Sequence, residues 1–401
     1  MTAQHRRRPG MGTARRRLFA LLLSLALGLL ASTPVAGADR DGDLLRDAVE
    51  SKWKVTDPDR RDTDLDGVVD SAEDSDGDRL SNLGEQRFGT DPGRRDSDGD
   101  GIPDGLEDAD GDGISNMREQ DRRRLPPRLR PSLARARHDF PERRWECQTP
   151  QGKTALRPCQ FGDTAGARRV VIFGDSHAAQ WVPALDRAGE VEGWRVIQLT
   201  KTACPSISAN VLGQERLDGG RTCAAWRKKA LRWLRRFPPD VIVITNRSRW
   251  TLVEHGRSVP SSSRPTKWRM AMARTLSALP PGAAVMILAD TPQMNGEPVP
   301  CLKRNPRNIA ACTTPRAVAM ASSFARRVER AAARSAGAQT RNLNGKICSY
   351  DPCPLVQGNV LMWRDHGHLT ATFSRQLWPG LRDAVISVGG DALKSAKAGR
   401  R

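Results

Sequence analysis

Two regions of different kinds are expected from this chain of 401 residues: an acidic repeat region and, after it, an α/β domain built on a parallel sheet. Three observations predict them. From about Cys147 onward, β-branched runs alternate with helix-like segments. Residues 39–119 repeat a twelve-residue acidic pattern. Ahead of both stands an arginine-rich start with a short apolar run. Strands alternating with helices indicate a parallel sheet covered on both faces. The expected segments are a leader over 1–38, repeats over 39–120, a basic linker over 121–143, the α/β domain over 144–390 and a basic tail over 391–401.

The start, "MTAQHRRRPGMGTARRRLFALLLSLALGLLASTPVAGADR", has the pattern of a secretory signal peptide, with cleavage expected after Ala38. The apolar core from Leu18 to Ala31 is too short for an ordinary membrane span, and an uncleaved anchor is left open. No other long apolar run exists, so no transmembrane bundle is expected, and the chain should act outside the cell or in the cell envelope. The eight cysteines fit that destination. They fall as Cys147/Cys159, Cys204/Cys223, Cys301/Cys312 and Cys348/Cys353. An even count behind a signal peptide implies disulfides whose connectivity sequence cannot fix; nearest-neighbour pairing is the expectation. Zinc is disfavoured, because none of the pairs has CxxC spacing.

The net charge of +19 hides a split. Residues 39–119 hold 26 acidic residues against 11 basic ones, a balance of −15, whereas residues 120–401 balance at +28. A basic exported domain can bind anionic envelope polymer or lipid headgroups. Arginine outnumbers lysine 54 to 11, so composition bias accounts for most of the excess. Nucleic acid is a poor partner for an exported chain with no recognisable binding module, and none is expected.

The acidic repeat has a strict register. Asp62, Asp64, Asp66, Asp70 and Glu73 stand at loop positions 1, 3, 5, 9 and 12, with Gly67 at position 6. The next twelve residues repeat the oxygens through Asp74, Asp76, Asp78, Asn82 and Glu85. A third loop uses Asp96, Asp98, Asp100, Asp104 and Glu107, and a fourth uses Asp108, Asp110, Asp112, Asn116 and Glu119. A degenerate fifth opens the mature chain through Asp39, Asp41, Asp43, Asp47 and Glu50, with Leu44 at position 6. Calcium takes six to eight oxygens in flexible geometry, which this spacing supplies, with position 7 (Val68, Leu80, Ile102 or Ile114) offering a carbonyl. Magnesium, which keeps its waters, fits less well. A disordered acidic linker is the alternative, and four loops in register count against it. Few apolar residues are present, so several structural calcium ions are expected to replace a hydrophobic core. These loops resemble thrombospondin type 3 repeats, which implies a calcium-stiffened spacer.

The segment "QDRRRLPPRLRPSLARARHDFPERRWEC" is rich in Arg and Pro and reads as a solvated hinge. Beyond it, strands are expected at Arg169–Phe173, Arg195–Leu199, Val241–Thr245 and Ala284–Ala289, with a weaker fifth near Ala338–Leu343. Helices are expected at His177–Ala188, Cys223–Arg236, Thr266–Leu279 and Arg316–Ser335, and a last one from about Thr370. Reactive groups in such sheets gather at the carboxyl ends of the strands. Ser176, in "VVIFGDSHAAQWVPAL", follows the first strand. It reads either as a nucleophile or as a helix cap.

A nucleophilic serine needs a base, and the chain has six histidines. His5 is in the leader, His138 in the linker and His255 in a loop; His177 adjoins Ser176 but is expected to point away. "MWRDHGHLTATFSRQL" offers Asp365 and His368, three apart and just before Thr370. That spacing on a turn can set carboxylate beside imidazole and leave the second ring nitrogen for Ser176. His366 is the competitor, and a polar loop or half a metal site is the plain alternative.

With "GDSH" early and "DHGHLT" late, residues 144–385 resemble the SGNH hydrolase superfamily, and most of all the SGNH domain fused behind the acyltransferase-3 domain of bacterial O-acyltransferases. "LTKTACPSI", "CAAWRKKAL", "DVIVITNRSRW", "ILADTPQM" and "CSYDPCPLVQGNVLMWRD" agree. The resemblance implies a flavodoxin-like three-layer α/β/α sandwich and acyl-ester chemistry on envelope sugars, acetyl esters first, with no cofactor for catalysis. It assigns Ser176 as nucleophile, His368 as base and Asp365 as its support. The pattern departs at the oxyanion hole: no glycine stands in "LTKTACPSI", and Asn246 only approximates the usual asparagine, because fused domains align here through Arg249-Trp250. The Ser176 N–H is the firmer donor. The membrane acyltransferase half is missing from the resemblance, so a transferase would take its acyl group from a separate membrane partner. Two functions follow: a serine esterase or O-acyltransferase on an envelope glycan, or a calcium-dependent surface protein that binds glycan without chemistry.

Overall fold

The structure is a computed structural model that describes residues 39–111, 113–120, 124–321, 323–349 and 351–393. The expected signal peptide, the expected metal ligand Asp112 and residues 394–401 of the expected tail lie outside them. Two compact units divide between Glu73 and Asp74, so the loops over 74–119 share a unit with the α/β domain.

That domain is organised by a seven-stranded sheet. Its strands are β1 (Gln148–Thr149), β2 (Cys159–Gly162), β3 (Arg168–Gly174), β4 (Trp194–Lys201), β5 (Val241–Thr245), β6 (Ala284–Leu288) and β7 (Gln339–Arg341). The main path runs β1-β4-β3-β5-β6-β7, and every pair along it is parallel. β2 lies antiparallel on β4, Cys159 opposite Gln198. Strand order reverses at β3, which sits between β4 and β5. A crevice opens at such a switch point, beyond the carboxyl ends of the strands.

The strand sequences explain the layers. "VVIF" in β3 and "VIVIT" in β5 are wholly buried, as continuous apolar runs are in parallel sheets covered twice. Alternate residues face opposite cores. Val170, Ile172, Val241 and Val243 join one core with Leu185, Leu381 and Val385. Val171, Phe173, Ile242 and Ile244 join the other with Trp226, Trp268 and Ala332. The first core is closed by α2 (Val182–Glu192), α6 (Ala371–Gln376) and α7 (Trp378–Gly389), which follow the single turn α1 (Ser176–Ala179) and, at the chain's end, the last strand. The second is closed by α3 (Arg221–Arg236), α4 (Arg264–Ser277) and α5 (Ser323–Ser335). The result is the α/β three-layer arrangement the sequence predicts. None of the described helices is long and apolar enough to cross a membrane.

Two expected helices are broken. His177–Ala188 divides at Gln180-Trp181 because Pro183 opens α2; its ring lacks an N–H and would clash with the carbonyl four residues back. Arg316–Ser335 stops at Ala319 and resumes at Ser323. The break leaves the Ala319 carbonyl to accept from the Gln293 N–H at 3.0 Å. β1 and β2 were not expected; each is too short to show a period. Disulfides join Cys147–Cys159, Cys204–Cys223, Cys301–Cys312 and Cys348–Cys353. The first anchors β2 to the segment that enters β1, and the second anchors the loop after β4 to α3.

Candidate functional site

Ser176 stands where the switch point predicts, two residues past the end of β3. Gly174 is required there, because a Cβ would collide with the Thr245 carbonyl of β5. Asp175 is the N-cap of α1: its buried carboxylate accepts from the His177 N–H at 2.9 Å. It also accepts from the Arg247 N–H and, at 2.8 Å, from Trp250 Nε1. The capping role thus falls to Asp175, and the half-buried Ser176 hydroxyl is left for other work. Among the described residues no acceptor takes the Ser176 N–H.

The turn after Trp363 brings the second half of the site. Asp365 accepts from the N–H groups of Gly367 and His368, at 2.9 and 2.8 Å, which closes the turn. The same carboxylate lies 2.9 and 3.0 Å from His368 Nδ1, and His368 Nε2 lies 2.9 Å from Ser176 Oγ. With Nδ1–H donating to the carboxylate, Nε2 is free to accept the hydroxyl proton. Gln180, in the break between α1 and α2, accepts from the Leu369 N–H at 2.8 Å and so ties this turn to the serine's own segment. Thr370 caps α6 at 3.1 Å from the Phe373 N–H. The competitor His366 pairs with Glu297 instead, at 2.9 Å.

Burial pulls the His368 imidazole down to about 4. The Asp365 hydrogen bond opposes that fall, and His177 and Arg364 add to it. Burial would raise the Asp365 carboxyl, but His368, Arg364 and the Gly367 N–H outweigh it and hold the group well below the usual carboxylate range. The arrangement is a neutral base, oriented by an ionised carboxylate, against a hydroxyl.

His177 does not point away as expected. Its buried ring lies against His368, with centroids 4.7 Å apart, and its Nδ1 is 2.6 Å from Asp290 Oδ1. Asp290 follows β6 and also takes the N–H and Oγ–H of Ser248, both at 2.7 Å. The signal was present: an acidic residue at the carboxyl end of a buried strand, in "ILAD". Burial opposes a charge on His177, and Asp290 more than restores it, raising the imidazole above its ordinary value. Asn246 is buried, and its amide serves Ser206 of the loop after β4: Oδ1 accepts the Ser206 N–H at 2.6 Å and Nδ2 donates to Oγ at 2.9 Å. His255 sits exposed at a hairpin turn and His138 is exposed, both apart from these contacts.

The acidic loops share one backbone design. The position-1 aspartate accepts from the N–H groups of positions 4 and 6, as Asp62 does from Leu65 and Gly67 and Asp96 from Gly99 and Gly101. Asp74 does the same for Gly77 and Arg79. Position 6 has positive φ throughout, including Leu44 at 91° and Arg79 at 79°. The position-9 carboxylates turn back on position 2: Asp70 on Thr63, Asp104 on Ser97. Asp62, Asp64, Asp66 and Glu73 converge into a group able to hold a metal ion, as do Asp39, Asp41 and Asp43. So do Asp74, Asp76 and Asp78; Asp96, Asp98 and Asp100; and Asp78, Glu85 and Asp104. Buried carboxylate oxygens of Asp41, Glu50, Glu73, Asp76 and Glu85 have no hydrogen-bond donor. These are position-3 and position-12 residues, where a hard cation's oxygen ligands are needed. Burial, then neighbouring carboxylates, push Glu107 up to about 7, and burial pushes Glu85 up to about 8. The donor set fits a divalent cation.

The family model for the SGNH domain (fused to AT3 domains) matches residues 146–383. No curated protein matches. Among solved structures, the periplasmic domain of a lipopolysaccharide acetyltransferase from Salmonella ser. Paratyphi A is similar at 18% identity and a TM-score of 0.45, over 55% of this chain and 84% of that one. An aryl esterase of M. smegmatis is similar at 16% identity and a TM-score of 0.35, over 55% and 100%. A carbohydrate acetylesterase family member from Sinorhizobium meliloti is similar at 15% identity and a TM-score of 0.33, over 56% and 100%.

Proposed function

The chain belongs to the family of SGNH domains of the kind fused to AT3 domains, an SGNH-type ester hydrolase or acyltransferase, and from that premise we propose that it is exported and acts on acyl esters, acetyl esters first, of cell-envelope carbohydrate. The observation that carries this reading is the unbroken relay from Ser176 Oγ through His368 to Asp365. Ser176 attacks the acyl carbonyl while His368 Nε2 takes its proton. Asp365 holds the tautomer and stabilises the imidazolium. The Ser176 N–H donates to the developing oxyanion. His368 then protonates the departing alkoxide. The acyl-enzyme passes to water or, in a transferase, to a sugar hydroxyl; in that mode the acyl group reaches the serine from a separate membrane protein.

The acidic loops supply structure in this reading. They bind calcium, whose charge would neutralise the buried carboxylates, while the protein's own aspartates fix each loop through their Asx bonds. The test of the enzyme is turnover of acetyl ester by wild type, Ser176→Ala and His368→Ala, with serine phosphonate labelling. Loss of turnover by at least ~10³-fold in both variants is expected. Equal turnover by wild type and Ser176→Ala ends the catalytic reading and leaves a glycan binder.

A further inference from the structure

The ester chemistry leaves unused a groove between α3, α4 and the hairpin of Leu252–Glu254 and Arg257–Ser258. It encloses about 850 Å³, within the ~300–1,000 Å³ typical of sites that hold an organic ligand. Its walls are predominantly cationic. Lys228, Arg232 and Arg235 line it from α3 and, at spacings of four and three, share one helix face. Arg274 lines it from α4. Arg227 enters as a buried guanidinium: its two terminal nitrogens donate to the Ala209 carbonyl, and its Nε has no partner. Burial, then the neighbouring Arg274, pulls its pKa down to about 10. The acidic residue lining the groove, Glu254, is already paired with Lys267 at 2.9 Å. Among the described residues, no carboxylate pairs with the other five cations.

A desolvated guanidinium among like charges is unfavourable until an anion joins it. We propose that this groove binds a segment of acidic polysaccharide, its acid groups meeting the two walls and its ring faces lying on the apolar floor of Leu231 and Leu252. The concavity and the setting favour a chain over a lipid surface. None of the exposed large apolar side chains among the described residues, which a membrane contact would insert, lines the groove. Arg274 also donates to the Ser208 carbonyl at 2.8 Å, and Thr275 to the Ser206 carbonyl at 2.9 Å. Ser206 is the partner of Asn246, so an occupied groove abuts the loop after β4 that Asn246 holds. The binding itself does not depend on the ester reading.

The test is calorimetric titration of the full chain with polygalacturonate, neutral dextran and phosphatidylglycerol vesicles. Lys228→Ser/Arg232→Ser is compared with the charge-matched control Lys303→Ser/Arg304→Ser, and equal melting temperatures show both are folded. Polygalacturonate should bind in a salt-sensitive way, weaken roughly tenfold in the groove variant and change less than about twofold in the control. Equal weakening in both variants means non-specific attraction and overturns the proposal. So does binding of vesicles in place of polygalacturonate, or equal binding of dextran.

Discussion

At Ser176 the capping role is taken by its neighbour. Asp175 carries the cap, so the hydroxyl meets His368 at 2.9 Å. The pH dependence of turnover follows from the imidazole. A general base must be neutral, and burial holds His368 at about 4 rather than at its ordinary ~6.5. Activity should therefore hold as pH falls through 6 and be lost only as it passes about 4, as kcat/KM against pH will show. His177 pushes in the same direction, because Asp290 favours its charged form and that charge disfavours a second one on His368. His177→Gln should move the acid limb upward. An unmoved limb would leave burial and Arg364 as its causes.

At the scale of elements, the break between α1 and α2 is part of the site. Pro183 ends the first turn early, and Gln180 in the gap holds the Leu369 N–H at 2.8 Å and reaches Thr291 at 3.2 Å. Gln180→Ala would leave a buried donor unsatisfied, at a cost of about 1–3 kcal/mol, and loosen the turn that presents His368. A fall in kcat with little change in KM is expected, since the serine's own helix keeps its cap; unchanged kcat would show that the turn's own bonds fix it without Gln180. The main strands were legible because buried parallel strands are continuous apolar runs, and β5 falls where "VIVIT" places it. β1 and β2 were illegible because two to four residues carry no period; their pairing on β4 is tertiary.

Across the molecule, two regions reach order by different physical means. The α/β domain buries two apolar layers, with five tryptophans among its largest fully buried side chains. The loops over 39–119 bury carboxylates instead, and an acidic cluster without a counter-ion opposes its own compaction. Chelation should change the far-UV circular dichroism by the part that residues 39–119 contribute and open them to protease, while the thermal transition of the α/β domain persists; restored calcium should reverse both. An unchanged spectrum on chelation would show that the Asx hydrogen bonds suffice.

The sequence by itself determined the strand and helix alternation, the register of the acidic loops, and the candidates Ser176, Asp365 and His368. Periodicity and local spacing are properties of short stretches, so one chain displays them. Only the tertiary structure decided that His177 turns inward to Asp290, 113 positions away, that His366 goes to Glu297, and that the cations of α3 and α4 line one groove. Those outcomes depend on which strand ends and helices become neighbours, a matter of long-range packing that no local pattern encodes.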